Sequence, residues 1–244
     1  MDSVIPEAIV FNIPYIHPSL LMSFLTWGIL ILMSYLAFRK ASLQPGKLQI
    51  MLELLLSYVF DLSDQIIGQK GKRYYPLFAG MFIFILVSNI IGLIPGLSSP
   101  TANPNTTFGL AIAVFVYYTF EGIRVQGLDY FKQFLGPRLP WYFFPVTILL
   151  VMTEVISAFT RPFSLGLRLF CNIFSKELFL SILVILIAQF ILSPVLIDRW
   201  FSLGPLLLRP FILLLGLVIG IIQALVFTLL TISYIGGAVQ AAEH

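Results

Sequence analysis

The longest apolar block of the sequence, residues 141–192, places the strictest limit on how the chain can fold. As a single helix it would extend about 78 Å, whereas the hydrocarbon core of a bilayer is about 30 Å thick. The block therefore forms either two crossings or one steeply tilted helix. A turn near residues 161–172 would leave Arg161 and Arg168 outside without a nearby acid, against the charge bias of membrane proteins. We predict one tilted helix, with Pro162 as the point where a kink would arise.

The composition of the chain is typical of a protein embedded in a lipid bilayer. Hydrophobic residues make up 59% of the sequence and charged residues only 10%, against about 25% charged in a typical soluble domain. Residues 206–239 form a second long block, and residues 20–38, 75–94 and 107–120 form shorter apolar segments. None shows strand-like alternation. The prediction is an all-α integral membrane protein with about five membrane-crossing helices, the last two long and steeply tilted as a hairpin.

The distribution of lysine and arginine predicts the orientation of this single membrane domain, residues 1–244. Basic residues are concentrated in segments 39–74 and 121–140, whereas residues 1–19 and the loop 95–106 have none. By the positive-inside rule the two basic segments are cytoplasmic and residues 1–19 are external. With five crossings, the C-terminus lies in the cytoplasm.

Residues 48–67, within the first basic segment, have the periodicity of an amphipathic helix. Leucines and other apolar residues fill one face, and polar residues recur on the other at Gln49, Glu53, Ser57, Asp61 and Asp64. Such a helix fits the membrane interface. A helix docked on a soluble partner remains an alternative.

A polar stripe runs along the predicted helix of block 141–192. At about 100° per residue, six polar side chains fall within about 40° of Arg168. They are Glu154, Ser157, Arg161, Ser164, Asn172 and Ser175. Glu177 falls on the opposite face. Because lipid cannot solvate such a stripe, it must face a water-filled path or the polar group of another protein.

Arg168 has no carboxylate within one helical turn, although arginine is effectively always charged. One interpretation is a structural pin, satisfied by backbone carbonyls or by lipid headgroups. The other is a counter-charge supplied by another subunit, which the length of the stripe favours.

No pattern indicates chemistry carried out by this chain alone. The sequence lacks a phosphate-binding P-loop, and His17 and His244 have no second ligand at metal spacing. We therefore predict no cofactor, no metal, no direct nucleotide binding and no nucleic-acid partner. Gly216 and Gly220 form a GxxxG pattern, which predicts close helix packing.

Several motifs resemble the membrane a subunit of F-type ATP synthases. The motifs are SLGLRLFCN at 164–172 followed by KEL, IQALVFTLLTISY at 222–234, SNIIGLIPG at 88–96 and NTT at 105–107. The resemblance implies a non-catalytic stator subunit whose tilted hairpin faces a rotating ring of c subunits. Two offset half-channels would pass protons or Na⁺ to the ring carboxylates. The implied partners are the c-ring, peripheral-stalk subunit b, the other F0F1 subunits and membrane lipid. The implied location is a bacterial plasma (inner) membrane, in preference to an organellar one.

The resemblance also implies roles for individual residues. Arg168 matches the essential arginine that faces the ring carboxylate, and Glu177 matches an acid of the outer half-channel. The other matching or stripe positions in ion translocation are Asn172, Gln223, Glu154, Ser157, Ser164 and Asn89. Gly216 stands where some members carry an ionisable side chain, so the outer path is expected to rely on Glu177 alone.

A secondary transporter of an anionic solute is the main rival interpretation, with Arg168 in its binding site. Such transporters often have two related halves and a focal site in interrupted helices. This sequence shows no repeated halves, and its polar stripe is long. A purely structural anchor is a third possibility.

Overall fold

The computed structural model describes residues 18–39, 46–94, 97, 99–127, 130, 144–192 and 200–240. Their regular structure is entirely helical, which confirms the all-α class. The α-helices are α1 (Pro18–Arg39), α2 (Lys47–Ile66), α3 (Tyr75–Ile91), α4 (Pro104–Gln126), α5 (Phe144–Ile191) and α6 (Leu203–Gln240). Two 3₁₀ helices, Gly68–Tyr74 and Pro100–Ala102, precede α3 and α4. Residues 1–17 of the predicted external N-terminus and residues 241–244 lie outside the described residues, whereas residues 18–19 belong to α1.

Helix lengths agree with a multi-pass membrane protein. Four segments are long and apolar enough to cross a bilayer, and α1 adds a shorter apolar stretch, Ser23–Leu32. The long segments are Gly68–Ile91, Pro104–Gln126, Val146–Ile191 and Leu203–Val239. The described part of the chain is therefore an integral membrane fold.

The two middle helices differ in length from the apolar segments of the sequence. The helix expected at 107–120 is α4, which begins at Pro104 because Asn103 accepts a hydrogen bond from the Asn105 N–H. It continues to Gln126 and ends at Gly127, whose φ of 62° suits glycine. The segment expected at 75–94 ends as a helix at Ile91. Capping residues, not hydropathy, set the two ends of α4.

One uninterrupted helix, α5, occupies the described part of block 141–192. It has 48 residues and runs through Pro162 without a break. At 1.5 Å per residue it is about 72 Å long, far more than a perpendicular crossing requires.

The last helix, α6, forms the centre of the fold. It packs against α3, α4 and α5, while α1 packs against α3. The buried core contains Phe82 and Ile85 from α3, Leu169 from α5 and Phe227 from α6. The most apolar stretch of α5 is only 17% buried, against 56% for the segment Gly68–Ile91. One side of α5 is therefore left for lipid or for another subunit.

The amphipathic helix α2 packs its apolar face on this chain. Val59 is fully buried, whereas Glu53, Asp61 and Asp64 are exposed, as the periodicity predicted. Its end contacts α6, where the backbone approaches so closely that a Cβ at Gly236 would lie 3.2 Å from the Ile66 side chain.

The buried carboxylate of Glu121 on α4 forms an ion pair with the 3₁₀ helix Gly68–Tyr74. Glu121 is only 2% exposed, and its Oε1 lies 3.5 Å from guanidinium nitrogens of both Arg73 and Arg124. Both arginines also reach solvent. The two arginines together neutralise the Glu121 carboxylate, whose burial without a positive partner would be costly.

Candidate functional site

Arg168 projects from α5 as an exposed side chain between the buried residues Leu165 and Leu169. Across the described residues, no hydrogen bond or salt bridge reaches its guanidinium group. The position agrees with the expected lack of a counter-charge on the same chain. A permanent charge without a partner in a membrane-length helix requires water or a carboxylate from outside this chain.

The N-terminal half of the stripe contains an ion pair. Arg161 lies 3.7 Å from Glu154 through Nη2 and Oε1, and its guanidinium stands 5.9 Å from the centre of the Tyr234 ring. A cavity of about 410 Å³ opens here, lined in part by Arg161, Tyr118 and Tyr234. Ser157 lies exposed on the same helix. The cavity beside this part of the stripe is large enough to hold water molecules.

One turn beyond Arg168, α5 and α6 are joined by a hydrogen bond. Asn172 Nδ2 donates to Gln223 Oε1 at 2.8 Å, and Gln223 is only 3% exposed. The structure thus brings together two residues that lie far apart in sequence and that were each assigned to the site.

Glu177, on the opposite face of α5 from Arg168, is turned toward the connection between α3 and α4. Its Oε1 accepts a hydrogen bond of 2.7 Å from the backbone N–H of Ser99. The carboxylate therefore has a defined partner away from the polar stripe, between packed helices.

A buried polar network continues from Ser99 to α6. The Ser99 hydroxyl donates to the Ser88 carbonyl at 2.8 Å and lies 2.6 Å from the Thr101 hydroxyl. The Thr101 hydroxyl donates to Asn89 Oδ1 at 3.2 Å, and Asn89 Nδ2 donates to the Gly220 carbonyl at 2.9 Å. Glu177, Asn89 and α6 thus belong to one set of contacts.

Close approach of two helices makes the last of these bonds possible. A Cβ atom at Gly220 would lie 3.1 Å from Asn89 Cβ, so α6 rests directly on α3. This confirms the close packing predicted from the GxxxG pattern.

Gly220→Ala should lower the unfolding temperature of the purified chain in detergent, because the added methyl group separates α6 from α3 and lengthens the Asn89 bond. Overpacking of this kind costs about 1–3 kcal/mol. The matched control is Gly80→Ala, since a Cβ at Gly80 would meet nothing within 4 Å. Equal unfolding temperatures for the two variants would contradict the close packing.

Three residues of the site were missed from the sequence: Ser99, Thr101 and Lys176. Lys176 Nζ donates to the Asn89 carbonyl at 3.4 Å, and its stem passes over Gly216. The only sequence signal was the position of Lys176 beside Glu177. The two hydroxyls lie in the connection between α3 and α4, at the start of and within the short 3₁₀ helix Pro100–Ala102, where α-helical periodicity carries no information.

Together these features define a multi-pass helical membrane protein with an arginine that has no partner among the described residues and a half-buried carboxylate joined to a polar network, both on a membrane-length helix. The family model for the ATP synthase A chain matches residues 20–236. The chain therefore belongs to the ATP synthase A chain family, which confirms the resemblance seen in its motifs. Membership of this family places the chain in ATP synthesis and ion transport.

Individual relatives agree with the family match. The chain is 40% identical over 233 residues to ATP synthase subunit a 1 of Syntrophotalea carbinolica, covering 96% of this chain and 88% of the relative. It is 37% identical over 212 residues to ATP synthase subunit a of Aquifex aeolicus, covering 84% and 89%. It is 36% identical over 221 residues to the Geobacter sulfurreducens subunit, covering 89% and 87%.

Proposed function

We propose that this chain is the ion-translocating stator subunit a of a rotary F-type ATP synthase. On this proposal it forms two offset half-channels, which carry ions to and from the carboxylates of a c-ring. It has no catalytic activity of its own, and partner subunits carry out the nucleotide chemistry. The observation that supports this most is Arg168, an exposed charge on α5 with no partner among the described residues.

The exposure of α5 supports a ring contact at Arg168. Little of the apolar stretch of this helix is buried within the chain, and large apolar residues close to the arginine in sequence, such as Phe163 and Leu167, are exposed. A carboxylate on a neighbouring subunit would supply the missing counter-charge in an otherwise apolar surface.

The proposed outer half-channel uses the network around Glu177. Glu177 and Asn89 are linked through Ser99 and Thr101, and Asn172 bonds to Gln223 nearer to Arg168. Carboxylate, amide and hydroxyl groups at such spacing support stepwise transfer of an ion between the long helices.

The proposed cytoplasmic half-channel uses the other end of the stripe. Glu154, Ser157, Arg161 and Ser164 occupy it, and the cavity beside Arg161 supplies room for water. Because Arg168 stands between the two ends of the stripe, its charge separates the half-channels.

The partners on this proposal are the c-ring, subunit b and the other F0F1 subunits, in a bacterial inner membrane. Purification of a tagged chain under mild detergent tests the assignment. We expect an oligomeric small proteolipid to purify with it in a large complex. A chain that purifies alone and binds an anionic solute would instead support the transporter interpretation.

Thiol labelling tests the proposed orientation, with an external N-terminus and a cytoplasmic C-terminus. In a Cys171→Ser background, Asn105→Cys and Lys72→Cys introduce single thiols at exposed positions. An impermeant reagent should label them from opposite sides of the membrane, Lys72→Cys from the cytoplasmic side. Labelling of both from the same side would contradict the orientation.

A further inference from the structure

The side chain of Lys176 fills the space that Gly216 leaves open. A Cβ atom at Gly216 would lie 2.7 Å from Lys176 Cδ and 3.2 Å from its Cγ. Gly216 is the position at which the resemblance implied that the site lacks an ionisable group. The structure supplies such a group from the neighbouring helix.

The ammonium group of Lys176 is held beside the carboxylate of Glu177. A Cβ atom at Gly92 would lie 3.4 Å from Lys176 Nζ and 3.4 Å from Glu177 Oε1. Both charged groups therefore lie next to the backbone of Gly92. Lys176 Nζ also donates to the Asn89 carbonyl at 3.4 Å. The lysine therefore joins the same polar network as the acid.

Lys176 also stands between this network and the face of Arg168. On the α5 helix it lies at about 80° from Arg168, whereas Glu177 lies at about 180°. It helps to line a cavity of about 310 Å³ together with Asn172 and Ser175, which belong to the polar stripe. An ion that moves from Glu177 toward the stripe passes the lysine.

We propose that Lys176 makes the outer path selective for protons over metal cations, an inference that rests on the proposed stator function. Without the lysine, Glu177 would present a negative charge in the same polar network as oxygen atoms of Ser88, Asn89 and Thr101, and hard cations prefer oxygen ligands. The ammonium group offsets part of that charge and donates a hydrogen bond to the Asn89 carbonyl. For a cation about 6 Å from the ammonium group, at an effective dielectric of 20, Coulomb repulsion would lower Na⁺ occupancy roughly 100-fold.

Protons are not excluded by the same charge. A proton moves by transfer between hydrogen-bonded groups and water molecules. It therefore does not need a binding site of its own beside the ammonium group, as a metal cation would. A lysine that only fills the gap above Gly216 would have no effect on the choice of ion. The sensitivity of proton transport to Na⁺ therefore separates selectivity from packing.

The experiment uses the verified, fully assembled complex in proteoliposomes, with ATP-driven proton uptake measured in choline and in Na⁺ medium. We expect equal uptake in both media for the wild type and for Lys176→Arg. Proton uptake by the Lys176→Met complex should be at least about tenfold lower in Na⁺ medium than in choline medium, because Glu177 then binds the metal ion. Lys176→Gln serves as a second neutral variant where Lys176→Met does not assemble. The control is Lys72→Met, at an exposed position of the 3₁₀ helix.

Na⁺-insensitive uptake by the neutral variants would overturn the inference, and so would Na⁺ inhibition of the wild type. Arg168→Ala in the same preparation separates this failure from failure of the proposed function. If Arg168→Ala blocks ATP synthesis while proton uptake by the neutral Lys176 variants is the same in Na⁺ and in choline, only the inference about Lys176 fails. If Arg168→Ala sustains synthesis, the proposed function itself fails.

Discussion

Arg168→Ala should abolish ATP synthesis by the assembled complex and open a passive ion leak. At about 4 Å and an effective dielectric of 20, an ion pair contributes about 4 kcal/mol. Such an energy favours an ionised ring carboxylate beside the arginine, yet still permits its release into a hydrated half-channel. Without the arginine, protonated carboxylates would cross between the half-channels. The measurement is ATP synthesis together with passive ion flux in vesicles.

Arg168→Lys distinguishes charge from geometry. It keeps one positive charge but loses the planar guanidinium and hydrates more strongly, so we expect coupling to remain badly impaired. Arg124→Ala is a matched control, because Glu121 retains Arg73 as a partner. Normal synthesis by an assembled Arg168→Ala complex would refute the mechanism, and lost assembly without any functional defect in the surviving complex would indicate a structural pin.

Glu177→Gln should slow ATP-driven proton pumping by at least about tenfold while leaving assembly intact. Glutamine retains an oxygen that accepts the Ser99 N–H, so the α3–α4 connection keeps its contact. It cannot release and rebind a proton, a function whose loss commonly costs about 10²–10⁴ in rate. Pumping is measured in reconstituted vesicles that contain equal amounts of complex.

Glu53→Gln provides the control for Glu177→Gln. Glu53 is an exposed acid on α2 whose partner is Gln49, at 2.7 Å, so its loss should leave pumping near the wild-type rate. Similar pumping by the Glu177→Gln and Glu53→Gln complexes would remove Glu177 from the proposed path.

Helical periodicity was sufficient to predict how the candidate residues are arranged around α5. The spacing of polar residues placed Arg168 and Glu177 on opposite faces, and the structure shows one exposed side chain and one turned toward Ser99. Hydropathy similarly located the membrane segments. It underestimated α4 because Asn105, Glu121 and Arg124 are polar, although capping and pairing keep them helical.

Contacts between distant segments were beyond such reasoning. The stem of Lys176 is long enough to cross to α6, and only the missing side chain at Gly216 makes that route possible. Thr101 reaches Asn89, and Ser99 reaches Thr101, through the conformation of the connection between α3 and α4. A helical wheel assigns each residue a direction, but it contains neither side-chain length nor the space left on a neighbouring helix.

The central position of α6 has a consequence for synthesis of the chain. Gly216, Gly220 and Gln223 all lie on this last helix, and the contacts with Lys176, Asn89 and Asn172 require them. A nascent or truncated chain that ends before Leu203 therefore contains Arg168 and Glu177 but lacks the surface that completes their surroundings. The proposed conduit closes only after α6 has been synthesised and inserted, so chains that lack α6 have no complete route by which to dissipate the membrane potential.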